Sequence, residues 1–280
     1  MNWMQVDQII RQALVEDIGH GDITTDNLIP SDHRSIGVFY VKQEGVVAGV
    51  QVAERVFRLL DPEIDFTILK EDGELVVEGE EIARVSGRTR TLLTGERVAL
   101  NFLQHMSGVA TKTYDLVDRV RHFPVTIVDT RKTTPGLRIL DKYAVRVGGG
   151  NNHRFGLFDG VLIKDNHIRA AGGIGEAIRT IQRNISHLTR IEIEVEDLDQ
   201  LREALAAGAD VILLDNMDPE MMREAVRITA GRATLEASGG ITRDNLVEVA
   251  KTGVDLISIG GLTHSAVALD ISFDIISLKE

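Results

Sequence analysis

From Val125 onward the chain alternates short apolar runs with stretches of helical period, and this alternation constrains the fold more than any other feature. The apolar runs are VTIVDT (125–130), GVLIKD (160–165), RIEIEVE (190–196), DVILLDN (210–216), ATLEASG (233–239) and DLISIGG (255–261). Between them lie the helix-period segments Gly175–Asn184, Leu198–Ala207, Pro219–Ala230 and Arg243–Lys251. Strand followed by helix, repeated at near-regular spacing, predicts successive βα units and a parallel sheet. The repeat has an internal echo: AAGADVILLDN (206–216) aligns with KTGVDLISIGG (251–261), Gly208 on Gly253 and Asp210 on Asp255. Both glycines fall where a helix must stop, at the position that tolerates a left-handed backbone. With no GxGxxG fingerprint, the units favour a barrel over a dinucleotide-binding sheet. Six strands rather than eight predict a barrel that is incomplete.

Before Val125 the texture changes. Ile36–Val41, Gly45–Val50, Asp65–Leu69 and Glu81–Val85 read as antiparallel strands, with turns at Glu44-Gly45, Asp72-Gly73 and Ser86-Gly87. Two helices are expected next, over about Thr89–Met106 and Val109–Arg121. The fold class is therefore α/β: an N-terminal α+β sandwich domain over 1–110, then an open parallel βα barrel over 111–267. The closing segment alternates like a strand from Asp270 to Leu278, so a tail over 268–280 is expected to rejoin the first domain.

Composition removes several function classes. No apolar run is long enough to span a bilayer, and the acidic, amphipathic N-terminus is unlike a signal peptide. The absence of cysteine excludes a disulfide framework and fits a reducing cytoplasm. A net charge of −12 argues against a nucleic-acid partner, which needs a basic face. Against that background Thr130–Arg154 is cationic: Arg131, Lys132, Arg138, Lys142, Arg146 and Arg154 face Asp141 alone. A solvated helix face would explain such a run. With glycines and His153 in the same window, a pocket for a small, highly charged anion explains it better.

Candidate ligand groups gather at the strand ends. Ser238-Gly239-Gly240 and Gly260-Gly261 follow consecutive strands; singly each makes a tight turn, but together they suit a sugar phosphate held by backbone amides. Glu192, Glu194 and Glu196 share one face of a strand whose parallel sheet should be covered on both sides, so the row needs cations or a polar cavity. Glu194, with Asp215 on the next strand, is a candidate for ribose hydroxyls or Mg²⁺, whereas Glu192 could simply lodge at the strand's base. Lys164 closes a strand, and two roles stay open for it: a Schiff-base nucleophile, or part of a polyanion site with Arg131, Lys132 and Arg154.

Longer motifs resolve much of this. EDIGHGDITT (16–25), TGERVALNFLQHMSGVAT (94–111), DTRKTTPGLR (129–138), KYAVRVGGGNNHRFGLFDGVLIKDNH (142–167), EVE (194–196), LLDN (213–216), EASGGI (236–241) and ISIGGLTHS (257–265) together resemble the quinolinate phosphoribosyltransferase family, over essentially the whole chain. The resemblance implies a homodimer with shared active sites, Mg²⁺ brought with phosphoribosyl pyrophosphate (PRPP), and no organic cofactor. It implies a reaction of quinolinate with PRPP that gives nicotinate mononucleotide, pyrophosphate and CO₂ in NAD biosynthesis. By the same resemblance Arg131, His153, Arg154 and Lys164 would hold the pyridine dicarboxylate, and Arg97 would reach into the neighbouring subunit's site. Lys132 would lie by the pyrophosphate, Glu194 and Asp215 by the ribose and Mg²⁺, and Ser238, Gly239, Gly240, Gly260 and Gly261 by the 5′-phosphate. Lys132, Lys164, Glu194 and Asp215 are the catalytic candidates; His264 matches a motif with no role assigned. VGGGNNHRFGLFD (147–159) becomes a rigid crossover between the first two barrel strands, with Asn151 and Asn152 bonding their own backbone to hold the turn. The rivals are a Lys164 Schiff-base aldolase or sugar-phosphate enzyme on the same barrel, a phosphoribosyltransferase acting on nicotinate or another acid, and a non-catalytic metabolite-binding paralogue.

Overall fold

The computed structural model describes residues 1–277, so Leu278 and the last two positions of the expected tail lie outside the described residues. Two compact units emerge. One joins Met1–Tyr114 with Thr133–Gly149 and the segment from Leu262; the other comprises Asp115–Lys132 and Gly150–Gly261.

The first unit opens with helices α1 (Trp3–Ile18) and α2 (Ile23–Leu28), the second capped by Asp22, whose carboxylate accepts from the Thr25 amide at 2.9 Å. Its strands are β1 (Arg34–Val41), β2 (Gly45–Val46), β3 (Asp65–Ile68), β4 (Leu75–Val76) and β5 (Glu81–Arg88), with α3 (Val50–Leu60) between β2 and β3. β12 (Ile271–Ser277) returns to pair antiparallel with β1, in a four-stranded sheet of order β12-β1-β5-β3. Phe39, Phe57, Phe66 and Phe273 pack its core, with the Phe39 and Phe273 rings 4.6 Å apart. Gly37 makes room for them, since a Cβ there would lie 2.0 Å from the Phe273 ring.

Three local expectations for this unit need correction. The run Gly45–Val50 is not one strand: at Gly49 the backbone turns left-handed (φ 96°), and the Asp72 carboxylate accepts from the Gly49 and Val50 amides to start α3. Ser86-Gly87 lies within β5 rather than in a turn, because a Cβ on Gly87 would strike Ile64 at 2.3 Å. The two helices expected after β5 are one, α4 (Thr89–Val120). Gly108 reads as a breaker locally, yet its bare backbone lets Val267 approach, where a Cβ would sit 2.1 Å from the Val267 carbonyl oxygen. Close packing rather than helix ending explains that glycine.

The second unit carries β6 (Thr126–Val128), β7 (Val161–Ile163), β8 (Ile191–Val195), β9 (Val211–Asp215), β10 (Thr234–Ser238) and β11 (Leu256–Ser258). All six expected barrel strands are present, in a parallel sheet ordered β6-β11-β10-β9-β8-β7. That is the cyclic order of a βα barrel left open between its first and second strands. Helices α6 (Asp165–Ala171), α7 (Ile174–Asn184), α8 (Leu198–Ala207), α9 (Pro219–Thr229) and α10 (Leu246–Ala250) connect the rest. The helix between β6 and β7, α5 (Arg138–Val147), groups instead with the first unit. The six-cation run is thereby divided: Arg138, Lys142 and Arg146 ride on α5, leaving Arg131, Lys132 and Arg154 with the sheet.

The internal echo has a physical reason. Gly208 and Gly253 adopt φ of 81° and 90° where their helices end. Two residues on, the Asp210 carboxylate accepts from the Ile191 amide at 2.8 Å, and Asp255 accepts from Leu235 at 2.7 Å. Each aspartate thus ties the base of its own strand to the base of the preceding one, which fixes the parallel register.

Candidate active site

The open edge is occupied by the glycine-rich segment before β7. Asn151 bridges to β6, its amide donating to the Ile127 carbonyl at 2.9 Å and its carbonyl accepting from Asp129 at 3.1 Å. The Asn152 side chain donates to Asp129 Oδ2 at 2.6 Å. Asp129 is fully buried, and its other oxygen accepts from the His153 amide at 2.9 Å. The loop is therefore held by a buried carboxylate just past the end of β6, an anchor that the motif DTRK does not reveal by itself.

That anchoring delivers a cationic group. Arg154 donates from one terminal nitrogen to the Gly160 carbonyl at 3.0 Å. Its pKa is held below the ordinary arginine value, first by burial and then by the neighbouring charge of Arg131, with Glu192 and Asp159 opposing. Two guanidiniums that feel each other's charge in partly desolvated surroundings favour an anion near them. Lys132 is exposed beside them, its amide donating to Thr130 Oγ1.

Beneath Arg154 the ring of His153 is engaged at both nitrogens: Nδ1 accepts from the Arg154 amide at 2.8 Å, and Nε2 lies 2.9 Å from Glu192 Oε2. Glu236, on β10, is 3.7 Å from the same nitrogen. Glu192 and Glu236 are both buried. Sequence reasoning left Glu192 as a bystander and passed over Glu236 within EASGGI; the signal lay in acids placed mid-strand in a doubly covered sheet.

Lys164 and Glu194 form a second group. They meet at 2.7 Å across β7 and β8, with the lysine side chain 48% exposed. A half-exposed ammonium seated on a carboxylate is not the desolvated amine that a Schiff-base mechanism requires, so this geometry disfavours the aldolase reading.

The third group surrounds the phosphate candidates. Asp215 ends β9 and accepts from the side chain of Asn216 at 2.8 Å. Asn216 takes a left-handed backbone (φ 52°), and its amide donates to the Ser238 carbonyl at 2.9 Å. Gly239 (φ 91°) packs so closely on the Asn216 side chain that a Cβ would lie 2.3 Å away, and Gly240 is also left-handed. Asn216 thus couples the acid at the end of β9 to the glycine turn after β10, a role hidden in LLDN. Gly260 follows β11, and Gly261 opens the four-residue helix α11 (Gly261–His264).

Two candidates fall in the first unit. Arg97 is exposed on α4, its nearest acid Glu96 at 3.7 Å. His264 is exposed, with Nδ1 2.6 Å from the Ser265 hydroxyl. Every other candidate is brought to the carboxyl ends of the parallel strands, where parallel βα folds place their ligands.

Comparisons with known proteins agree with this assembly. The quinolinate phosphoribosyl transferase N-terminal domain model matches residues 22–107, and the C-terminal domain model matches 109–274. A protein of Bacillus subtilis described as a probable nicotinate-nucleotide pyrophosphorylase (carboxylating) is 46% identical over 98% of this chain and 95% of its own. The solved nicotinate-nucleotide pyrophosphorylase of Francisella tularensis superposes with a TM-score of 0.94 at 42% identity, over 98% of this chain and 96% of that one. The solved structure of NadC from Streptococcus pyogenes gives a TM-score of 0.94 at 40% identity, over 100% of this chain and 99% of that one. Matched along nearly its whole length by both domain models and by such relatives, the chain belongs to the quinolinate phosphoribosyltransferase family.

Proposed function

We propose that this chain is a decarboxylating phosphoribosyltransferase of NAD biosynthesis, converting quinolinate and PRPP to nicotinate mononucleotide, pyrophosphate and CO₂. One observation carries the reading from residues to chemistry: Arg154, half-buried on the segment at the open edge of the sheet, lies within the electrostatic reach of Arg131, in the same unit as the left-handed glycine turn after β10. A substrate with two carboxylates and a co-substrate with a pyrophosphate and a phosphate need such an arrangement.

In this reading Arg131, His153, Arg154 and Lys164 form the dicarboxylate clamp. Ser238, Gly239, Gly240, Gly260 and Gly261 cradle the 5′-phosphate, and Lys132 offsets charge on the departing pyrophosphate. The pyridine nitrogen attacks C1′ as the bond from C1′ to pyrophosphate breaks, its electron pair leaving with the pyrophosphate. Glu194 and Asp215 orient the ribose and stabilise positive charge developing at C1′. The alkylated ring then accepts the electron pair from the C2–carboxylate bond, CO₂ departs, and C2 takes up a proton. Glu194 and Asp215 offer hard oxygen donors on adjacent strands and fit Mg²⁺, which takes one or two carboxylates and fills its shell with phosphates and water. When bound, the ion would neutralise phosphate charge.

The exposure of Arg97 on α4 supports a homodimer in which it completes a partner's site. A cytoplasmic location is proposed on the cysteine-free composition; among the described residues no helix is long and apolar enough to cross a membrane.

The decisive assay supplies quinolinate, PRPP and Mg²⁺ and follows pyrophosphate, CO₂ and nicotinate mononucleotide together. All three should appear in equal amounts. Comparable turnover of nicotinate would overturn the substrate assignment. Arg97→Ala and Lys164→Ala should each be inactive, yet a subunit-exchanged mixture should recover up to about a quarter of wild-type activity, because one intact site forms per mixed dimer. No recovery after verified exchange would reject the shared site.

A further inference from the structure

Two acids beneath the His153 member of the clamp are unused by the reaction as described. Glu192 on β8 and Glu236 on β10 flank β9, where their register partners are Val211 and Leu213. Both side chains are more than nine-tenths buried, and the Oε1 atom of each has no hydrogen-bond partner. His153 stands over both, and the ligand atoms of the three lie within 4.8 Å of one another. A metal ion is the obvious occupant of such a cluster, but the histidine argues against it. Ligating imidazoles donate their second N–H outward, whereas His153 Nδ1 accepts the Arg154 amide. A ring that accepts at Nδ1 and ligates at Nε2 would have to be an imidazolate. The cluster is therefore built to hold protons: one on Nε2, directed at Glu192, and one on the carboxyl pair.

We propose that Glu192 and Glu236 are a positioning pair for the dicarboxylate clamp, Glu192 fixing the neutral His153 ring and Glu236 serving as its uncharged carboxylic acid partner. The proposal rests on the reading that Arg131 and Arg154 meet a carboxylate-bearing substrate. Arg154 is then held at three points: its own amide on His153, its guanidinium on Gly160, and the preceding amide on Asp129. Burial first, and then the charge of Glu192, push Glu236 up to about 7, against the pull of the Ser258 hydroxyl of β11; only a charged His153 would add to that pull, and a neutral ring does not. Around these stand Arg131, Arg154, Asp129 and Asp159. With Glu236 neutral, the guanidiniums face one carboxylate from the sheet and keep uncompensated charge for the substrate. Ionised, it would add a second negative charge and compete with quinolinate.

The test has two arms on the full-length enzyme. In the first, kcat/KM for quinolinate is measured against pH at saturating PRPP. The wild type should lose roughly tenfold or more between pH 6.5 and 8.5, as Glu236 ionises. Glu236→Gln, permanently uncharged, should flatten that ratio towards one, and Glu192→Gln should raise KM for quinolinate more than it lowers kcat. A Glu236→Gln enzyme that keeps the wild-type alkaline loss would overturn the proposal. In the second arm, ¹⁵N NMR of histidine-labelled wild type, with His153 assigned by the missing signal in His153→Gln, should show the neutral Nε2–H tautomer from pH 6 to 8. An imidazolium or Nδ1–H form would overturn it, and this arm needs no carboxylate variant to fold. If the wild type releases no pyrophosphate from quinolinate and PRPP, the functional reading fails instead, and the NMR arm still judges the pair.

Discussion

The two sheets of this protein share an apolar filling but differ in what is buried beside it. The antiparallel sheet closes over four phenylalanines, with Phe39 fully buried. The parallel sheet buries Asp129, Glu192 and Glu236 with them half-burying His153 and Arg154. Apolar burial supplies stability at about 25 cal/mol per Å², whereas buried charge costs desolvation energy and is kept for what it holds. The difference teaches where stability and chemistry are separated in the chain, and it can be broken from either side.

The largest effect should come from the apolar side. Phe39→Ala removes a ring that touches Phe57, Phe66 and Phe273, and should cost about 3–5 kcal/mol of stability, read by denaturant unfolding. Activity per folded molecule, assayed cold, should change little; a large loss there would blur the division. On the polar side Arg154→Ala should do the reverse. Removing one charge-assisted partner of a carboxylate is worth about 2–5 kcal/mol, so kcat/KM for quinolinate should fall by about a hundredfold or more. Thermal stability should hold or rise, because the repulsion with Arg131 disappears. A marked drop in melting temperature with intact turnover would show that this arginine is structural.

How far these divisions were legible depends on the range of the interactions behind them. The six parallel strands were readable because each is a local apolar run set between polar or helix-period segments, and the proposed clamp could be named because long motifs carry Arg131, His153, Arg154 and Lys164. The expected break between Met106 and Val109 is absent because Gly108 there admits another backbone, and only Val267, distant in sequence, reveals it. α5 looked like an ordinary crossover helix; which unit it joins is decided by packing that no periodicity encodes. The Glu192–Glu236 pair was invisible for the same reason, its members lying on strands separated by β9.

The smallest effect should come from charges of the same kind placed at the surface. Arg243 grips Asp115 through two bonds of 2.8 and 2.9 Å, a geometry as good as any in the clamp. Both side chains are well exposed, 60% and 42%, so water and salt screen the pair. Arg243→Ala should therefore cost less than about 1 kcal/mol and less again at high ionic strength. Its pH dependence has a definite sign. The hydrogen bond from Arg243 is the largest influence lowering the Asp115 pKa below its ordinary value of 3.8, so the contribution is present above that value. It is lost as pH falls through the lowered one. Unfolding curves of the wild type and the variant should keep a constant small gap near neutrality and converge only in acid. A gap as large as that expected for Phe39→Ala would mean that exposure does not decide what an arginine–carboxylate pair is worth in this fold, and the contrast between the two sheets would lose its physical basis.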